Sequence, residues 1–332
     1  MVVAVLAGAA VFPIPTRADE TAFVNVTGQR PVVLAAVPAG AGDPRIEKLL
    51  TRPADLWERL RQGFAMPDLD SRLVGVHEAY YAARPELLRG ILARAKRYLH
   101  YIVEEVERRG LPMELALLPA VESGFNPMAL SSAQASGLWQ FIPGTGARYN
   151  LPQTAHFDAR RDVLASTGAA LDYLQSLYRL HHDWHLALAS YNWGEQAVLR
   201  AVERRGARGA GFTDLALPEE TRNYVPRLMA LRNIVLEPQK FGLDLGELPD
   251  EPYFTSVALD LNIDLLLASR LAGVPYEDLF ALNPGYNQPR AAGAVRASLV
   301  VPAEQAEFLR ASLVRYREAQ TARAAAARRK AY

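Results

Sequence analysis

From Asp55 to Leu236 the hydrophobic residues recur every three or four positions, and almost nowhere do they alternate. That period is the signature of amphipathic helices, so the stretch is mainly α. The segment Pro85 to Arg109 starts with proline. It carries Leu87, Leu88, Ile91, Leu92, Ala95, Leu99, Ile102 and Val106, which predicts one continuous apolar stripe. Gly110-Leu111-Pro112 closes that helix and opens the next, which runs to about Glu122. Asp162 to Leu180 repeats the pattern, Trp184–Ser190 and Glu195–Arg205 are two short helices around Gly194, and Pro218 to Leu236 is another helix. Half of the residues are hydrophobic and 22% are charged, enough to build a sizeable core and too apolar for a disordered chain.

Outside this helical block the character changes. Val2 to Ile14 is apolar but too short to span a membrane, which takes about 20 residues. With small residues before Ala18 it fits a secretory segment over residues 1–18, although no basic residue precedes it. Residues 19–54 are an extended lead rich in Ala, Val, Gly and Pro. Residues 237–252, with Glu237-Pro238, Gly242 and Pro249-Asp250-Glu251-Pro252, have the composition of a linker. Phe254 and Val257, and later Leu299 and Val301, suggest strands at the two ends of a small α+β module over residues 253–303. Residues 304–332 form a basic, Ala-rich helical tail. A net charge of +1 argues against a general nucleic-acid binder. The absence of cysteine removes disulfide scaffolds, thiolate metal sites, thiol nucleophiles and Cys-linked lipid anchors.

One carboxylate stands out. Glu122 ends the otherwise apolar run Leu117-Leu118-Pro119-Ala120-Val121, just before Gly124. Apolar neighbours and a helix C-terminus both disfavour its anion, so it can remain an acid near neutral pH. Glycoside cleavage needs such a group. Downstream lie Gly137-Leu138-Trp139-Gln140-Phe141-Ile142-Pro143 and Ser190-Tyr191-Asn192-Trp193-Gly194. Their amides and aromatic rings suit a sugar, which has apolar faces and a hydroxyl rim. His181 and His185 share a helical spacing, but no acid close in sequence completes a metal site. No metal and no cofactor is expected.

These three runs resemble the lytic transglycosylases, in particular the membrane-bound D-type branch with its goose-type lysozyme-like (SLT) catalytic domain. Phe157-Asp158-Ala159-Arg160-Arg161-Asp162-Val163 and Glu220-Thr221-Arg222-Asn223-Tyr224-Val225-Pro226 add two further matches in the right order. The resemblance covers residues 55–236. It implies cleavage of the β-1,4 bond between N-acetylmuramic acid (MurNAc) and N-acetylglucosamine (GlcNAc) in peptidoglycan. Glu122 would act first as acid and then as base, and the muramic C6 hydroxyl would close a 1,6-anhydro ring. It further implies that Ser123 hydrogen-bonds near the acid, that Gln140 contacts the sugar and Phe141 binds substrate beside it, that Tyr191 and Asn192 line the cleft by the scissile bond, and that Tyr224 bonds to Glu122. Asp158, Arg160, Arg161 and Asp162 read as a structural ion-pair and capping cluster.

The C-terminal module is similar to a LysM glycan-binding repeat in Leu267 to Pro275, Leu279-Phe280-Ala281-Leu282-Asn283-Pro284 and Ser298 to Pro302. The usual opening Gly-Asp-Thr is replaced by Ala258-Leu259-Asp260-Leu261-Asn262, so a packing or docking role stands beside glycan binding. The expectation is a helical lysozyme-like domain followed by a degenerate LysM-like module. Such a chain would be exported to the periplasm without a lipid anchor or an integral membrane segment and would act on peptidoglycan strands, alone or beside cell-wall or secretion machinery. A hydrolytic muramidase and a non-catalytic wall-binding scaffold are the rival readings.

Overall fold

The computed structural model describes residues 53–206, 209–259, 263–287 and 298–330. The secretory segment, nearly all of the extended lead, and Asp260, Leu261 and Asn262 of the replaced opening lie outside the described residues.

The helical block holds ten helices among the described residues. α1 (Leu56–Gln62) begins at Asp55, whose side chain accepts from Glu58 N at 3.0 Å. α2 (Arg72–Ala82) is capped by Ser71. The stripe from Pro85 to Arg109 is two helices, α3 (Pro85–Ala95) and α4 (Leu99–Arg108). The backbone tightens between them: Tyr98 N donates to Ala95 O at 2.8 Å, three residues back. The apolar phase survives the break, since Ala95, Tyr98, Leu99 and Ile102 are all buried, which is why the periodicity conceals it. The next predicted helix is a 3₁₀ turn (Met113–Leu117) followed by α5 (Leu118–Glu122). α6 (Pro143–Arg148), α7 (Val163–His181), α8 (Trp184–Trp193), α9 (Glu195–Arg205) and α10 (Glu219–Leu236) complete the block.

α8 and α10 are the buried centre. From Leu186 to Ser190 every residue of α8 is buried, and so are most positions of α10. The core extends through Leu56, Trp57, Leu118, Trp139 and Leu171. Each such side chain contributes roughly 1.5–3 kcal/mol on leaving water. Glu122 and the Gly137–Phe141 loop sit on short segments laid against this core, whereas Tyr191, Asn192 and Tyr224 belong to α8 and α10 themselves.

Residues 237–252 link the block to the module, yet they are pinned to α1. Trp57 Nε1 donates to Gly246 O at 3.1 Å, and Arg59 pairs with Asp250 at 2.9 Å. Leu243, Leu245 and Leu248 are buried in the main core. The module itself is β1 (Phe254–Ala258), α11 (Leu265–Ala272), α12 (Tyr276–Leu282) and β2 (Ser298–Pro302), followed by α13 (Ala306–Lys330). The strands are antiparallel, with Phe254 opposite Pro302 and Ala258 opposite Ser298. β2 is buried on both faces. Leu299 and Val301 enter the module's own core, whereas Val300, with Leu282 and Phe254, joins the core of the helical block. Among the described residues no helix is long and apolar enough to cross a membrane.

Candidate active site

Glu122 is the last residue of α5, and the chain turns sharply behind it. Gly124 and Phe125 have φ of +59° and +57°. Phe125 is not a glycine, so its left-handed backbone costs roughly 1–3 kcal/mol. Its ring is buried at 1% exposure, which offsets that cost and anchors the turn. Arg94 Nε donates to Gly124 O at 2.7 Å from α3. The carboxyl group of Glu122 is thereby held at the edge of the core, partly accessible to solvent.

Burial pushes the Glu122 pKa up to about 7, and the negative charge of Glu220 pushes the same way. Tyr224, whose hydroxyl donates to Glu122 Oε1, and the Arg227 cation pull it down. Desolvation wins. The Tyr224 and Tyr191 hydroxyls are both raised well above the usual tyrosine range by burial and by the Glu122 charge, so both act as donors.

The loop Gly137–Phe141 is tied to the residue that follows Glu122. Ser123 Oγ donates to Leu138 O at 3.0 Å and Tyr191 Oη to Trp139 O at 2.8 Å. These bonds tie the acid's turn and α8 to the loop's carbonyls. Trp139 is fully buried and donates to Thr167 Oγ1 at 3.0 Å. Gln140 has φ +49°, and its Nε2 donates to Gly137 O at 2.8 Å and Ala129 O at 3.2 Å. Its amide nitrogen braces the loop. The expectation that Phe141 reaches sugar is corrected here: its ring is 2% exposed and meets Tyr191 edge-on at 6.4 Å. Phe141 supports the Tyr191 ring, and Tyr173 does so from another side at 5.3 Å.

Asn192 is held by α10. Thr221 Oγ1 donates to Asn192 Oδ1 at 2.7 Å, and Asn192 Nδ2 donates to Glu220 Oε1 at 3.4 Å. The structure thus brings Glu122, Ser123, Tyr191, Asn192 and Tyr224 into one neighbourhood. Trp193 is partly buried against the core at the joint of α8 and α9. Asp158, Arg160 and Asp162 behave as the expected structural cluster: Arg160 pairs with Asp158 at 2.7 Å and Asp162 caps α7. His181 bonds to Ser190 Oγ at 2.7 Å, and among the described residues no cluster of three or more metal-ligating side chains occurs.

Sequence reasoning left Glu220, Thr221 and Arg227 without a role in the groove. A signal for them exists: Glu220, Tyr224 and Arg227 are spaced i, i+4, i+7, a polar stripe on a helix otherwise mostly buried. Glu114, two turns before Glu122, is fully buried and accepts from Ala65 N and Met66 N at 3.1 and 3.0 Å. It is spent on that loop.

Residues 101–211, which contain Glu122, the Gly137–Phe141 loop and Tyr191, match the transglycosylase SLT domain family. The chain carries an SLT domain. Around it, the membrane-bound lytic murein transglycosylase D of Escherichia coli (strain K12) is 36% identical over 262 residues, which is 78% of this chain and 58% of the relative. A protein of Alteromonas sp. (strain M-1) named for tributyltin chloride resistance is 49% identical over 111 residues, 33% of this chain and 54% of its own length. The X-ray structure of an inactive mutant of the lytic transglycosylase Slt from Pseudomonas aeruginosa aligns with a TM-score of 0.35 and 22% identity. That alignment covers 42% of this chain and 24% of that one. The chain thus spans little more than half the length of these two curated relatives. The SLT domain and the D-type relative agree with the resemblance carried by the five motifs, and the architecture around the groove is helical as that resemblance implies.

Proposed function

We propose that this chain is a peptidoglycan lytic transglycosylase that cleaves the MurNAc–GlcNAc β-1,4 bond and leaves a 1,6-anhydro-MurNAc end. The supporting observation is Glu122: a groove carboxyl whose pKa is pushed to about 7, held by Tyr224 and flanked by Tyr191. A group poised at that value can give a proton to the glycosidic oxygen and take one back. In the first half-step Glu122 protonates the GlcNAc O4 as the C1–O4 bond breaks. In the second, the ionised Glu122 takes the proton of the muramic C6 hydroxyl as its oxygen bonds to C1. No water is consumed, and the acid returns to its starting state.

Tyr224 steadies the ionised form between the two half-steps, and Asn192, oriented by Thr221, presents its amide to the sugar. Ser123 and Gln140 keep the opposite wall in register. Peptidoglycan strands are the substrate, and the periplasm is the compartment where such strands are met. The LysM-like module belongs to the same reading, as do partners in wall remodelling or secretion. The test is clearing of purified sacculi: the wild-type chain should clear them and Glu122→Gln should not.

A hydrolytic reading has one observation in its favour. Glu220 is a second carboxylate at the groove, bonded to Asn192 and close enough to act on Glu122. In that reading it would activate water.

A further inference from the structure

The C-terminal module does not hang from the SLT domain; its Asn283–Asn287 turn is consumed by it. Asp158 N donates to Gly285 O at 2.8 Å and Asn287 N to His156 O at 2.9 Å, a strand-like pairing between the turn and the loop before α7. Asn287 Nδ2 donates to Thr154 O at 2.9 Å and Ala155 O at 3.1 Å, and its Oδ1 accepts from Arg161. The Tyr286 and Phe157 rings meet edge-on at 5.1 Å. A Cβ on Gly285 would lie 2.6 Å from the Phe157 ring, so only glycine lets the turn approach this closely. Away from the turn, Tyr98 Oη donates to Ala281 O at 3.0 Å, and Val300 of β2 is buried in the SLT core.

The loop seized in this way also holds the groove. Asp158 binds Arg160 through Nε at 3.0 Å and Nη2 at 2.7 Å. Arg160 Nη1 then donates to Gln134 O at 2.6 Å and Phe141 O at 3.1 Å, clamping the last residue of the Gly137–Phe141 wall to the loop that leads into it. Gly137 sits so tightly on this support that a Cβ would come within 2.1 Å of Arg160 O. The inner side of the same wall carries the carbonyls that bind Ser123 and Tyr191.

We propose that the module is part of the active site's framework: Gly285, Tyr286 and Asn287 act as positioning residues that set the Gly137–Phe141 wall through Asp158 and Arg160. The inference rests on the transglycosylase reading for its activity readout. It assigns the module's turn to the SLT domain and away from glycan capture.

The test uses the full chain with Asn287→Ala, which removes hydrogen bonds without adding bulk, and Gly285→Val, which drives the turn off Phe157. Turnover is measured on a short soluble glycan strand and on sacculi, with amide hydrogen exchange followed across the wall. We expect kcat on the short strand to fall between about twofold and thirtyfold, the span of couplings carried by such packed chains, with KM unchanged. Exchange at Ser136 and Gln140 should quicken while α9 stays protected. Unchanged kcat on the short strand, with loss confined to sacculi, would make the module a glycan anchor and overturn the proposal. A rise in KM alone, or unchanged exchange at the wall, would overturn it too. If Gly285→Val does not fold, Asn287→Ala decides. Should the wild type cleave no strand, the transglycosylase reading fails, and the exchange experiment still judges the framework by itself.

Discussion

The Tyr224 hydroxyl donates to the Glu122 carboxylate from a helix 102 residues further along the chain. The bond favours the charged form, so it restrains the upward push of burial. In the transglycosylase reading Glu122 must arrive at the substrate protonated, and the protonated fraction falls as pH rises through about 7. The alkaline limb of kcat/KM should therefore lie there. Tyr224→Phe removes the restraint and should move that limb upward by about one unit. A pH–rate profile of the two proteins on a soluble strand checks this; a limb that stays put or moves down contradicts it.

Glu220 acts with the opposite sign. Its charge raises the Glu122 pKa, so Glu220→Gln should shift the alkaline limb to lower pH. Turnover at the optimum should drop less than about tenfold, because no proton transfer passes through Glu220 in the transglycosylase reading. A general base in a hydrolase would cost about 100-fold or more when removed.

The raised pKa of Glu122 also marks stability. Folding lifts it from the ordinary 4.5 to about 7, so the folded chain binds that proton more tightly than the unfolded one. The associated stability is fully present below pH 4.5 and is lost as pH climbs through about 7. Glu122→Gln cannot ionise and escapes that loss. Its Tm relative to wild type should rise from about pH 5 to about pH 7 and level off above that, as thermal melts would show. A difference independent of pH contradicts the assignment of the buried carboxyl.

Gly137 combines φ +88° with a backbone neighbour, and a Cβ there would lie 2.1 Å from Arg160 O. The obstacle is a carbonyl and not a flexible side-chain end, so the wall itself must move. Gly137→Ala should cost roughly 2 kcal/mol or more and lower turnover together with Tm. Wild-type activity in a fully folded Gly137→Ala would mean that the wall has no catalytic bearing.

Periodicity made the helices legible because core-facing stripes leave a 3.6-residue imprint. It did not reveal the break at Lys96–Tyr98, where a tightened turn keeps the stripe in phase without glycine or proline. Glu122 was legible as a candidate acid because a carboxylate closing an apolar run has apolar neighbours to desolvate it, and the motifs downstream weighed against its turning to water. Its partner was not: no spacing rule links positions 122 and 224, and only the family resemblance connected them. Phe141 was misjudged because an aromatic residue beside Gln140 looks the same in sequence whether its ring lines the groove or props Tyr191 from behind. Linker composition between Glu237 and Pro252 concealed three buried leucines, since Pro and Gly mark where the chain bends and not whether it packs.

The central claim is that Glu122 moves a proton while the muramic C6 hydroxyl severs the strand, without water. It is tested most directly by digesting purified sacculi in ¹⁸O-enriched water and weighing the new glycan ends by mass spectrometry. The account predicts 1,6-anhydro ends, lighter than reducing ends by one water and free of the label, and none from Glu122→Gln. Reducing ends carrying ¹⁸O would show that water is the nucleophile and would contradict it.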